Sequence, residues 1–175
     1  MDETRPLYGA SMKKIVFFVA IGVMLVVIAS NMSYQQQTLI PSLQLLLKDK
    51  PFLKLLSQLE IPYWGTTVSV ETRGYYFFVE FLMRKGAHFF GYGILAVIFF
   101  TLYTKLVWRF PAVLAFFTIL LIASLDEYRQ SMIPGRTGIV SDVILDATGA
   151  ITLLLIVKGI HLLKNIINKK TAEQR

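Results

Sequence analysis

Four apolar runs constrain this chain more than any other feature: residues 15–30, 89–104, 111–125 and 143–157. With their flanks they approach the roughly 20 residues that a helix needs to cross the hydrocarbon of a bilayer. In that medium a backbone must satisfy its own polar groups, which an α-helix does and a single strand does not. Over 175 residues the hydrophobic share is 55% and the mean hydropathy +0.58, too apolar for an ordinary soluble domain. The expected fold is an all-α integral membrane protein with four transmembrane helices, forming one domain over 1–175.

The net charge of +7 would suit a nucleic-acid ligand if it were spread over one surface, but its distribution points elsewhere. With the N-terminus placed inside, the inner side carries Arg5, Lys13, Lys14, Lys105, Arg109, Lys158, Lys164, Lys169, Lys170 and Arg175 against Asp2, Glu3 and Glu173. The outer side balances, with eight basic and eight acidic residues. The whole excess is then cytoplasmic, as in the positive-inside pattern, and no nucleic acid is needed to explain it. Both termini are expected in the cytoplasm, with 158–175 as a basic tail. Without cysteine there are neither disulfides nor thiolate metal sites, and His88 and His161 are too few for a closed histidine cage.

The first run follows Lys13 and Lys14, a start it shares with signal peptides. No AlaXaaAla-like site follows Ala29, and the uncharged stretch continues to Ile40, so the run reads as a retained helix. Residues 31–87 then form an external connection too long to lack structure. Pro51 can open a short helix with Phe52, Leu55, Leu56 and Leu59 on one face, expected to pack on the bundle or, less commonly, to lie in the bilayer interface. From Tyr63 to Tyr76 the alternation of Val68 and Val70 with Thr67 and Ser69 suggests a small hairpin, with Gly74 as its turn. Tyr63, Trp64, Tyr75 and Tyr76 are the aromatics expected at a membrane–water boundary.

Two polar constellations flank the later runs. Glu80, Arg84, His88 and Tyr92 are spaced by four, so a helix through this region aligns them in one stripe facing the bundle, while Lys85 can snorkel to the interface. The second is DEYRQSMIPGRTGIVSDVILDATG, residues 126–149, which concentrates Asp126, Glu127, Arg129, Gln130, Arg136, Asp142 and Asp146 between two apolar runs. Pro134 and Gly135 suit a tight turn that gives Arg136 a definite direction, and Gly138 permits a second reversal. Ser141 can cap the fourth helix, and Asp142 suits its first turn. Asp146 has no such local reason. A charge at mid-membrane costs about 2.5–3.5 kcal/mol on insertion scales, so it requires a partner, with Arg84, His88 and Arg136 as candidates.

In these residues the chain resembles the VanZ-like membrane proteins, a family named for a teicoplanin-resistance protein. RKGAHF at 84–89, with Tyr92 and Leu95 after it, is similar to the family's first motif. DEYRQS at 126–131, PGRTG at 134–138 and the Asp142–Asp146–Gly149 spacing are similar to its second, and SYQQQ at 33–37 is shared with many members. Gly91 stands where many members carry an acidic residue, and Met132 where an aromatic is frequent. The resemblance implies a multi-pass protein of the bacterial plasma membrane associated with reduced sensitivity to teicoplanin and lipoglycopeptides. It implies no reaction.

Three functional classes remain open on the residues. In the first, an outward-facing polar pocket binds an anionic lipid-linked cell-wall precursor, or a glycopeptide. Arg84, Lys85 and Arg136 would clamp phosphate, with His88, Asp126, Glu127, Gln130, Asp142 and Asp146 orienting them or meeting sugar and amide groups. In the second, a phosphatase or transferase acts on the same lipid class, with His88 as nucleophile or acid/base and Asp142 or Asp146 orienting it. A variant holds a divalent cation through Asp126, Glu127, Asp142 and Asp146. In the third, the polar groups only fix helix register.

Overall fold

The computed structural model describes residues 5–136 and 138–173, with side chains over 11–136 and 138–172. Asp2, Glu3 and Arg175 from the charge tally and Thr137 of the PGRTG run lie outside the described residues, as do the side chains of Arg5 and Glu173. In chain order the elements are α1 (Arg5–Asn31), α2 (Tyr34–Gln37), α3 (Ile40–Leu46), α4 (Leu53–Leu56), β1 (Glu60–Tyr63), β2 (Thr66–Ser69), α5 (Val70–Arg73), α6 (Tyr75–Lys105), α7 (Pro111–Ser131) and α8 (Val140–Glu173).

Four helical stretches are long and apolar enough to cross a membrane: Ser11–Asn31, Tyr75–Lys105, Pro111–Ser131 and Val140–Ala172. They contain the four apolar runs and extend beyond them at the polar ends. α6 already starts at Tyr75, α7 continues through Asp126 and Gln130, and α8 begins at Val140. The backbone ladder does not stop where hydropathy falls, provided that the polar side chains find partners in the bundle. The 34 residues of α8 measure about 51 Å at 1.5 Å per residue, against roughly 30 Å of hydrocarbon, so its basic end is helical rather than a loose tail.

α6 is the central helix and packs on α8, α7 and α1. The core joins Tyr92, Leu95, Ala96, Phe99 and Phe100 of α6 to Ala115, Ile119 and Ala123 of α7 and Ala150 and Leu154 of α8. Small residues at these seams let helices approach, because lipid supplies no hydrophobic drive and close contact must hold them together. The nearest approach is at Gly149, where a Cβ would come within 2.1 Å of the Phe89 carbonyl oxygen. Large apolar side chains point outward instead, among them Phe90 and Ile94 of α6, Leu121 and Leu125 of α7, and Ile144 and Leu155 of α8. That outward apolar surface is the reverse of a soluble bundle and suits acyl chains.

The connection between α1 and α6 ends at Gly74, not near residue 87, and it differs from expectation in three places. Lys50 and Phe52 both adopt positive φ around Pro51, so the proline forms a turn and α4 is a single turn starting at Leu53. Its apolar residues do not pack on the bundle: Phe52 is 75% exposed and Leu55 60%, with Leu45 and Leu46 of α3 also exposed, leaving an apolar ledge of the interfacial type. The hairpin exists, but its two-residue turn is Trp64–Gly65, both at positive φ, and Glu60 pairs with Ser69 at its far end. Gly74 is instead the junction of α5 and α6. The positive φ of Trp64 and Gly65 gives the turn the twist that a short hairpin prefers.

The seam at Gly149 generates a direct test. Gly149→Ala forces α8 away from the Phe89 carbonyl and should lower stability by about 1–3 kcal/mol. Gly159→Ala, with no atom within 4 Å of the added carbon, should be neutral or stabilising by about 0.5–1 kcal/mol. Thermal unfolding of both variants in detergent would check the contrast.

Candidate functional site

Successive spans run in opposite directions, so the first half of α6, the end of α7 and the start of α8 all lie at one end of the bundle. Short connections at 106–110 and 132–139 leave no other arrangement. The stripe of Glu80, Arg84, His88 and Tyr92 therefore meets Asp126, Glu127 and Gln130 of α7 and Asp142 and Asp146 of α8. Asp146 is fully buried, and Glu80, Asp126, Glu127, Gln130 and Asp142 are 3–7% exposed. Five buried carboxyl groups share one end of a small bundle.

Each carboxyl group has a different neighbour. Glu80 accepts from Arg84 Nη2 at 3.0 Å, the Leu39 amide at 2.9 Å, and the hydroxyls of Tyr34 and Thr38 at 3.2 and 3.3 Å. It thereby ties the connection to α6. Arg84 also reaches Gln37 Oε1 at 3.4 Å and lies over the Tyr34 ring at 4.9 Å. Lys85 does not snorkel outward: its Nζ is 2.5 Å from Asp142 Oδ1 and 4.5 Å from the Tyr63 ring, and the Tyr63 hydroxyl donates to the same carboxylate. Asp142 thus has an ionic partner in addition to a favourable helix position. α8 begins at Val140, which puts Ser141 within the first turn rather than at the cap.

Of the three candidate partners for Asp146, the structure selects His88, with Nδ1 3.2 Å from Asp146 Oδ1. The imidazole ring also stacks on Tyr92 at 5.9 Å. Tyr92 donates to Asp126 Oδ2 at 2.8 Å, Gln130 Nε2 donates to the same oxygen at 2.7 Å, and Gln130 Oε1 accepts from Arg136 at 2.5 Å. The turn at Pro134–Gly135, with Gly135 at φ 79° and a bond from the Arg136 amide to the Ile133 carbonyl, aims Arg136 at this chain. Arg136 also donates to the Met32 and Ala29 carbonyls at the end of α1, 3.0 and 3.3 Å away. Burial and the Arg84 guanidinium pull the Arg136 pKa down, opposed by Asp126 and Glu127. Gly138 is not a reversal of positive φ. A Cβ there would sit 2.2 Å from the Glu127 carbonyl oxygen, and this close approach lets the Ile139 amide donate to Glu127 Oε2 at 2.8 Å. Arg129 turns away and binds exposed Asn31.

Two cavities meet here. One, of about 380 Å³, opens between the hairpin and the bundle and is lined by Tyr63, Arg84, Lys85, Arg136 and Asp142. The other, of about 720 Å³, is a slot between α1 and α6. Its wall is Phe18, Ile21, Gly22, Leu25, Ile94, Leu95 and Ile98, and its upper end is Arg84, His88, Tyr92, Asp126, Gln130 and Arg136. Arg84 and Arg136 line both.

All nine sequence-selected residues (Arg84, Lys85, His88, Asp126, Glu127, Gln130, Arg136, Asp142 and Asp146) occur in this one region. Glu80 has no role in the sequence reading beyond pairing with Arg84, and Tyr34, Gln37 and Tyr63 have none as partners of the cluster. The SYQQQ run was a signal for the first two, whereas nothing local marks Tyr63. The variant that would hold a cation through Asp126, Glu127, Asp142 and Asp146 meets a different geometry among the described residues. Asp142 is committed to Lys85 and Tyr63, and among the described residues the group that brings metal-type ligand atoms together is His88, Glu127 and Asp146.

No curated protein and no solved structure matches the chain. A family match does cover residues 15–164, from the first span through most of α8, and includes every residue of the cluster. On that match, which spans well over half of its length, the chain belongs to the VanZ/LLP1 family.

Proposed function

We propose that this protein binds a membrane lipid with an anionic phosphate head group, its tail in the slot between α1 and α6 and its phosphate between Arg84 and Arg136. The observation that carries this reading is the slot itself: an apolar wall as long as several helical turns ends at two arginines. Guanidinium presents a planar fork that matches phosphate oxygens, and an anion between Arg84 and Arg136 would offset both the burial and the Arg84 repulsion that lower the Arg136 pKa. Arg84 and Lys85 are both paired with a carboxylate, Glu80 and Asp142, but Lys85 lines only the smaller cavity and does not reach the slot.

With the excess of basic residues inside, the polar end of the bundle and the connection at 32–74 face the exterior, and both termini are cytoplasmic. The natural ligand there is a lipid-linked cell-envelope precursor of a bacterial plasma membrane. Occupancy would alter precursor access, which connects the site to teicoplanin and lipoglycopeptide sensitivity. The His88–Asp146 pair beside Arg84 favours a second reading, in which the same cluster cleaves or transfers the lipid phosphate.

Three measurements check these readings. In nanodiscs, Arg136→Ala should weaken retention of an anionic phospholipid by about 10–100-fold, the equivalent of roughly 1.5–3 kcal/mol for charged hydrogen bonds, while Arg129→Ala leaves it unchanged. Equal retention by both variants refutes the phosphate clamp. A reporter that is active only outside the cell should work when inserted after Gly135 and fail when fused after Arg175, and the opposite pattern reverses the orientation. Mass spectrometry of the retained lipid should show it unaltered; conversion that is lost in His88→Ala selects the enzyme instead.

A further inference from the structure

We infer that His88, Glu127 and Asp146 form a binding site for one divalent transition cation of the Mn²⁺ or Zn²⁺ class. Each residue supplies one ligand-type atom, and the three atoms lie within 4.8 Å of one another. They come from three helices, α6, α7 and α8, so the cluster is a product of the fold and not of one helical repeat.

Independent of that spacing, the carboxyl oxygens around it are under-used. Asp146 Oδ2, Glu127 Oε1 and Asp126 Oδ1 are buried without a hydrogen-bond partner among the described residues. Buried carboxyl oxygens are normally paired, since an unmet one costs about 1–3 kcal/mol and an ionised one more. Three in one cluster are not a packing accident of a single rotamer. The other charged groups cannot repair the deficit. Arg84 serves Glu80, Lys85 serves Asp142, and Arg136 is bonded to Gln130 and to backbone carbonyls. Among the described residues, His88 is the one basic side chain within hydrogen-bonding distance of Asp126, Glu127 or Asp146.

A dication at this point would neutralise two carboxylates and accept the imidazole nitrogen. One nitrogen with two or three carboxylate oxygens suits Mn²⁺ or Zn²⁺ better than Ca²⁺ or Mg²⁺, which favour oxygen sets. The interactions of Tyr92, Gln130 and the Ile139 amide with Asp126 and Glu127 supply the outer bonds that hold such ligands in place. Because His88 and Asp126 also line the slot, coordination positions left open by the protein face the ligand cavity, a last step that rests on the lipid reading.

The test uses full-length protein in nanodiscs of a zwitterionic lipid, stripped with chelator and titrated with Mn²⁺, so that it is independent of any anionic lipid. Electron paramagnetic resonance should show one saturable Mn²⁺ site with nitrogen modulation from an imidazole. His88→Gln should remove the nitrogen signal. Glu127→Gln and Asp146→Asn should each weaken binding by more than about 10-fold, the loss that follows removal of even an outer partner of a ligand. Arg129→Ala, whose side chain turns away to Asn31, should leave Mn²⁺ affinity unchanged. The proposal is overturned by an absence of saturable binding of both Mn²⁺ and Zn²⁺ to wild type, or by binding without the nitrogen signal. If a carboxylate variant does not fold, the wild-type nitrogen signal still decides. Failure of the lipid reading would leave this result intact, since Mn²⁺ binding is read in zwitterionic lipid with no anionic head group present.

Discussion

Burial of carboxyl groups where water cannot solvate them is the constraint on which the rest of this molecule depends. Glu80, Asp126, Glu127, Asp142 and Asp146 are all removed from solvent at one end of the bundle. Each must be neutralised or bonded, and each recruits a different part of the chain. Glu80 draws in the beginning of the connection, Asp142 draws in the hairpin through Tyr63, and Asp126 draws in the 132–139 loop through Gln130 and Arg136. Apolar packing alone would hold α6, α7 and α8 together in lipid. The carboxylates determine what covers their polar end.

Much of this was legible in the sequence because its two signals are local. The apolar runs marked the spans, and the four-residue spacing of Glu80, Arg84, His88 and Tyr92 marked one face of α6. What the sequence did not carry was length and partnership. Hydropathy falls at Glu80 and at Asp126, so the spans looked shorter than the helices are, although the hydrogen-bond ladder continues through both residues. Partnership across helices has no sequence spacing at all. Lys85 looked like a snorkelling lysine, and only the approach of α8 to α6 at Gly149 brings Asp142 within its reach.

The connection shows the opposite balance. Its elements are short, and their locations depended on turn residues whose φ is set by the whole loop: the hairpin turned at Trp64–Gly65 rather than at Gly74, and Pro51 gave a turn before a helix. A one-turn helix cannot bury a side, so Phe52 and Leu55 remain uncovered by protein. The same segment nevertheless reaches the cluster, through Tyr34 and Tyr63. Tyr63, read from the sequence as an interface marker, also carries a hydroxyl, and Asp142 accepts from it.

α1 differs from its neighbours in how it is held. Among its described residues only Ser30 is buried, and a Cβ on Gly22 would meet just the flexible end of Leu95, whereas at Gly149 backbone meets backbone. One side of the slot is therefore rigid, and the other rests on it by side-chain contact alone. Were the proposed lipid to enter between them, its chain would meet a fixed set of polar atoms at the top and a compliant boundary along its length. Discrimination in such a cleft would be graded: strict toward the charged end of a guest, permissive toward the number and branching of its carbons.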